Sequence, residues 1–133
     1  MASASQFLGK LYQENEVVYR QGDPGECMYI VQMGKVEIIH RKGNQEYCLG
    51  LLNEGDFFGE MALFGYPVRM ATARAVEGAS VISLSKKSFL KRMQYDPSLG
   101  FNMLKKMADR IQHLEKQLVE YGETSLPPEM RSD

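Results

Sequence analysis

The sequence predicts a mainly β chain, an antiparallel sandwich or barrel followed by two helices. Three observations carry this. From Gln13 to Leu84, short apolar runs, several of them alternating, are cut by glycine-bearing turns, which is the pattern of many short strands. At Ser85 the spacing of apolar residues changes from period 2 to a helical repeat that continues to Tyr121. The 133 residues, 44% hydrophobic and 25% charged, suffice for one domain with a real core and leave little room for a second.

Taken in order, Met1 to Gln6 reads as a frayed start and Phe7 to Tyr12 as an opening strand. Asn15 stands in the first turn, where it tolerates left-handed backbone nearly as well as glycine. Gly22-Asp23-Pro24-Gly25 makes the next turn, and Met28 to Val31, Val36 to Arg41 and Tyr47 to Leu52 read as neighbouring strands. In the middle one Val36, Ile38 and His40 alternate with Glu37, Ile39 and Arg41, as a sheet with two different faces requires. Glu54-Gly55-Asp56 turns the chain into a strand that ends at Phe58. Gly59 to Leu63 can make one helical turn before the break at Gly65 to Pro67, and Arg69 starts the next strand.

Beyond Ser85, Lys86 to Met93 forms a first helix and Pro97 to Tyr121 a second. Asp96 suits the N-cap, Pro97 the first helical position and Gly122 the left-handed residue after the end. Residues 1–121 are thus one domain, and 122–133, with Pro127-Pro128, carry too little apolar content to fold.

Charge and composition exclude several classes. A net charge of -1 and a pI of about 6.1 provide no global positive field for a phosphate backbone. Cys27 and Cys48 are the only cysteines, too few for a disulfide framework or for iron–sulfur ligation, and they suit a reducing cytoplasm. No secretory leader or membrane-length apolar run is evident. His40 and His113 are the only histidines and lie on separate elements, so a metal site is improbable and no catalytic triad is written here. The chain reads as non-enzymatic and cytoplasmic.

The chemistry concentrates in Phe57 to Ala75, FFGEMALFGYPVRMATARA. A short helix N-terminus preceded by glycine favours an anion. Arg69, nine residues after Glu60, can close its fork over that anion with charge-assisted bonds. A carboxylate beside a phosphate is repulsive unless it binds something else, and a sugar hydroxyl is the natural partner. The plainer alternative is a Glu60–Arg69 salt bridge across a loop, with Gly59 serving only the turn.

This run resembles the phosphate-binding cassette of the cyclic nucleotide-binding domain family, which includes the bacterial catabolite activator and the regulatory subunits of cyclic-AMP-dependent kinase. Val17 to Gly25, Met28 to Val31, Gly34, Gly55 and Asp56 are similar to the framework of that family, so the likeness covers about Gln13 to Leu118. The resemblance implies a jelly-roll barrel, a short phosphate-binding turn and a bound cyclic AMP or cyclic GMP, with no further cofactor. It implies that Glu60 binds the ribose 2′-hydroxyl, Arg69 the cyclic phosphate, and the backbone about Gly59, Met61, Ala62, Met70 and Ala71 the remaining phosphate oxygens. Phe58 ends the strand before the cassette, and Ile38, Leu49, Gly50 and Leu52 stand where the family lines its base and sugar pocket. Met70 occupies the position after the arginine, where threonine in the family accompanies cyclic GMP, so the resemblance leans toward cyclic AMP. The base is met by Leu114 as an apolar lid, or by Arg110 or His113.

Pro97, Phe101, Leu104, Met107, Ile111, Leu114, Leu118 and Tyr121 recur at spacings of three and four, a heptad seam suited to a parallel homodimer. No helix-turn-helix follows residue 121, so direct DNA binding and a membrane role are not expected, and the output passes to an unidentified effector. The competing readings are a ligand-free dimerisation scaffold and a β-roll holding haem or another small molecule.

Overall fold

The computed structural model describes residues 9–125, with side chains from 9 to 122. The opening and closing segments, including residues 7 and 8 of the expected first strand and 126–133 of the expected tail, lie outside the described residues. The strands are β1 (Lys10–Tyr12), β2 (Val17–Tyr19), β3 (Cys27–Met33), β4 (Val36–Lys42), β5 (Gln45–Leu52), β6 (Phe57–Phe58), β7 (Thr72–Ala75) and β8 (Ala79–Ser85). A single 3₁₀ turn, Glu60–Phe64, follows β6, and the helices are α1 (Lys86–Tyr95) and α2 (Pro97–Ser125).

The strands form two four-stranded antiparallel sheets, ordered β1-β8-β3-β6 and β2-β7-β4-β5. This is the jelly-roll arrangement, a mainly β fold in which chain-adjacent strands repeatedly cross from one sheet to the other. Its core follows from the alternation. Val36, Ala73 and Ala75 of one sheet meet Val31, Phe58, Ala79 and Val81 of the other, while Glu37 and Arg74 on the opposite face form an ion pair of 2.6 Å. Asn15 adopts the left-handed conformation its position calls for, φ 70°, and its N–H donates to Ala75 O at 2.8 Å.

Three boundaries differ from the sequence expectation. The strand after the cassette begins at Thr72 rather than Arg69, because the backbone at Arg69 is engaged by the turn at residues 22–25. Arg69 N–H donates to Asp23 O, and Arg69 O accepts from Gly22 N–H, each at 2.8 Å. Helix α1 extends to Tyr95. Helix α2 passes through Gly122 and ends at Ser125, since one glycine costs a helix only about 1 kcal/mol relative to alanine and does not by itself stop it.

The chain divides into two compact units, one ending at Lys91 and the other beginning at Arg92. The first is the β-roll with the start of α1. In the second, Asp96 caps α2 as its sequence position suggests, its Oδ1 accepting from Ser98 N–H at 3.2 Å. Phe101, Leu104, Ile111, Leu114 and Leu118 are exposed along α2. Among the described residues, no helix is long and apolar enough to cross a membrane.

Candidate functional site

The site is built where β6 runs into the 3₁₀ turn. Gly59 caps that turn with φ 73° and ψ 13°, and no side chain caps it. This left-handed backbone is where glycine is favoured, and a Cβ at Gly59 would also stand 2.8 Å from Arg69 Nη1. The turn closes with Tyr66 N–H donating to Met61 O at 3.2 Å.

Two charged residues of the cassette are buried, Glu60 at 5% exposure and Arg69 at 6%. Arg69 donates from Nη1 to Gly59 O at 3.0 Å and from Nη2 to Cys27 O at 2.7 Å. Its guanidinium carbon lies 4.2 Å from the centre of the Tyr19 ring and 5.5 Å from that of Tyr29. Nε is buried and has no acceptor among the described residues. These partners are neutral carbonyls and aromatic faces, so among the described residues the guanidinium sits in a desolvated place without an ion pair. Arg41 and Arg74 contrast with it, lining a groove of about 500 Å³ on the outer face of the other sheet and lying 2.9 Å from Glu46 and 2.6 Å from Glu37 respectively.

Gly25 forms the other wall of the arginine's slot. A Cβ there would fall 2.2 Å from Nε and 2.3 Å from Cζ of Arg69, so only glycine leaves the guanidinium its room. The turn holds this wall in position: Gly25 N–H donates to Pro67 O at 2.8 Å, and Pro24 bridges to Val68. Below the guanidinium, Tyr19, Tyr29 and Phe58 pack ring on ring, with centroids 5.2 to 6.0 Å apart.

Burial pushes the Tyr19 phenol up to about 12, with the Arg69 charge pulling against it and Glu60 adding to it. Tyr29 is also raised, first by burial and then by a hydrogen bond with Cys27. Both groups hold their protons more tightly folded than unfolded. Their contribution to stability is complete below about pH 10 and is lost as pH rises through the folded values. Urea unfolding followed from pH 8 to pH 11.5 is expected to give a stability that falls above about pH 10, and Tyr19→Phe to flatten that fall; an unchanged slope in the variant overturns the assignment.

The structure brings Phe58, Gly59, Glu60 and Arg69 together as their spacing suggested. Ala71 is buried and Ala62 partly so, while Met61 and Met70 are exposed, Met70 at 74%. Ile38 pairs with Gly50 and Val36 with Leu52 across the β4–β5 ladder, and Ile38 and Leu52 pack against the core. Leu49 does not share this inward row. The register shifts between Ile38 and Ile39, from Gly50 to Cys48, which makes Leu49 the extra residue of a bulge, 63% exposed. His40 Nδ1–H donates to the Met70 carbonyl at 3.0 Å, tying β4 to the residue after Arg69. Arg110 and Leu114 lie on α2, in the second unit. Among the described residues, no three His, Cys, Asp or Glu side chains stand together as a metal site.

Sequence reasoning missed Gly25, Cys27, Tyr19 and Tyr29 as the cage of Arg69. Gly25 was legible only as a turn residue, and the strand residues Cys27 and Tyr29 only as one face of β3 by their period of two.

Comparison with known proteins agrees with this geometry. The family model for the cyclic nucleotide-binding domain matches residues 10–96. The chain is 33% identical over 115 residues to the cyclic AMP receptor protein of Thermus thermophilus, covering 86% of this chain and 53% of that protein. It is 40% identical over 81 residues to a cAMP-dependent protein kinase regulatory subunit of Blastocladiella emersonii, covering 60% and 20%. The crystal structure of the Thermus thermophilus catabolite activator protein superposes with a TM-score of 0.74 at 33% identity, covering 86% of this chain and 54% of the other. The chain thus spans about half the length, or less, of these curated relatives.

Proposed function

The chain belongs to the cyclic nucleotide-binding domain family, and on that premise we propose that it is a sensor for a cyclic mononucleotide, cyclic AMP in preference to cyclic GMP. One observation carries the reading: a buried arginine bonded only to neutral groups, with an Nε that has no acceptor, next to a left-handed glycine and a buried glutamate. An anion supplied from outside neutralises that charge, and a cyclic phosphate has two exocyclic oxygens that can accept from a planar fork.

In this reading Arg69 binds the phosphate, Glu60 accepts from the ribose 2′-hydroxyl, and the backbone about Gly59, Met61, Ala62, Met70 and Ala71 surrounds the phosphate. Ile38, Gly50 and Leu52 line the sugar and base side, where Gly50 has open space about its missing Cβ. Met70 offers no hydroxyl to the base or phosphate, which favours cyclic AMP. The protein acts in the cytoplasm without catalysis. The exposed apolar stripe of α2 pairs with a second copy and conveys the bound state to an effector as a shift between two populations.

Thermal unfolding of ligand-free protein with cyclic AMP and with cyclic GMP tests this. Ligand at 100 times its dissociation constant is expected to add about 2.7 kcal/mol of stability. Cyclic AMP should act at lower concentration than cyclic GMP, and Glu60→Gln should need more of either. Absence of a shift with every cyclic mononucleotide sinks the proposal.

A further inference from the structure

We propose that Cys27 is an oxidation-sensitive modification site, whose sulfinate product engages Arg69 as an internal anion and lowers the affinity for cyclic nucleotide. The effect on affinity rests on the sensor reading above; the modification itself does not. Cys27 is half-buried at the start of β3, with Sγ 4.0 Å from Arg69 Nη2. Arg69 is 6% exposed, and its Nε has no acceptor, so a buried cation with unused donor capacity stands against this sulfur. Tyr29 lies two residues on and on the same face of the strand, its ring centre 5.5 Å from the Arg69 guanidinium carbon. Any anion formed at Sγ is therefore met by the guanidinium. Cys48 has no such setting: it is exposed, and its thiol donates to the Gly50 carbonyl at 3.6 Å.

The oxidant is hydrogen peroxide. Cys27 sulfur attacks one peroxide oxygen, an S–O bond forms as the O–O bond breaks, and the departing hydroxide takes up the thiol proton as water. Sulfur loses two electrons and peroxide gains them, leaving a sulfenic acid. A second peroxide repeats the step, releasing a second water and giving a sulfinic acid whose proton passes to solvent. The resulting charge lies where the guanidinium already points, so the cyclic phosphate meets an arginine that is already paired.

The test uses the full chain with Cys48→Ser, treated with hydrogen peroxide, desalted, mapped by peptide mass spectrometry and titrated with cyclic AMP. Cys27 is expected to gain two oxygen atoms, and affinity to fall roughly 10- to 100-fold, the worth of one charge-assisted bond. Cys27→Ser with Cys48→Ser should bind equally before and after the same treatment, whatever its starting affinity, which separates the effect from oxidation of the nine methionines. Adding Arg69→Gln to Cys48→Ser should lower the sulfinate yield. The proposal is overturned if Cys27 stays unmodified under conditions that oxidise Cys48 in the unaltered chain, if Cys27 is oxidised without loss of affinity, or if the yield is the same without Arg69. Untreated protein that binds no cyclic nucleotide refutes the sensor reading alone, and the dependence of the yield on Arg69 then decides the modification site.

Discussion

Gly25→Ala is expected to weaken cyclic AMP binding about 100-fold or more while the β-roll stays folded. The added methyl carbon falls 2.2 Å from Arg69 Nε and 2.3 Å from Cζ, and both cannot remain. The turn cannot easily give way, because three backbone bonds of 2.8 Å link residues 22–25 to Pro67 and Arg69. The guanidinium is the end of a flexible side chain, so it moves. It then leaves the carbonyls of Gly59 and Cys27, which costs about 1–3 kcal/mol of stability for each buried acceptor left unmade, and it no longer presents its fork to the phosphate. Circular dichroism melting reports the fold and calorimetric titration the affinity. A folded Gly25→Ala protein that binds as tightly as the unaltered chain would show that the arginine's position is immaterial.

Arg69→Ala removes the fork altogether. Two charge-assisted bonds at roughly 1.5–3 kcal/mol each correspond to a loss of about 100- to 10,000-fold in affinity. The ligand-induced rise in melting temperature should vanish with it. Because the side chain also bridges Gly59, Cys27 and the tyrosine rings, Arg69→Lys is the companion variant. It keeps a charge and a long stem but offers a point donor instead of a planar fork, and is expected to fold and to bind with intermediate affinity. Equal affinity in all three proteins would place the anion elsewhere.

Much of the fold was legible in the sequence because its signals are local. Alternation in Val36 to Arg41 follows from the pleat of one strand, and Asp96-Pro97 announces a helix start through bonds spanning two or three residues. The conformation at Asn15 likewise depends on that residue's own backbone. Glu60 and Arg69 could be singled out because the whole run about them resembles a known phosphate-binding cassette; the pair alone reads as readily as a salt bridge across a loop. The bulge at Leu49 was not legible, since register depends on which partner strand is chosen and on where its ladder slips. Nor was the helix end, where the penalty that makes Gly122 a stop signal is too small to break cooperative hydrogen bonding.

The sequence by itself determined the β-roll followed by helices, the turn that carries Gly59 and Glu60, and the presence of one arginine at the right distance along the chain. Only the tertiary structure decided what that arginine is. Its cage comes from Tyr19, Gly25, Cys27 and Tyr29, which are 40 to 50 positions away in the chain and reach it because the jelly-roll topology returns β3 and the 22–25 turn to the cassette. Desolvation and charge neutralisation act through space, so no local pattern of residues records that Arg69 is buried among neutral partners with a donor still to satisfy.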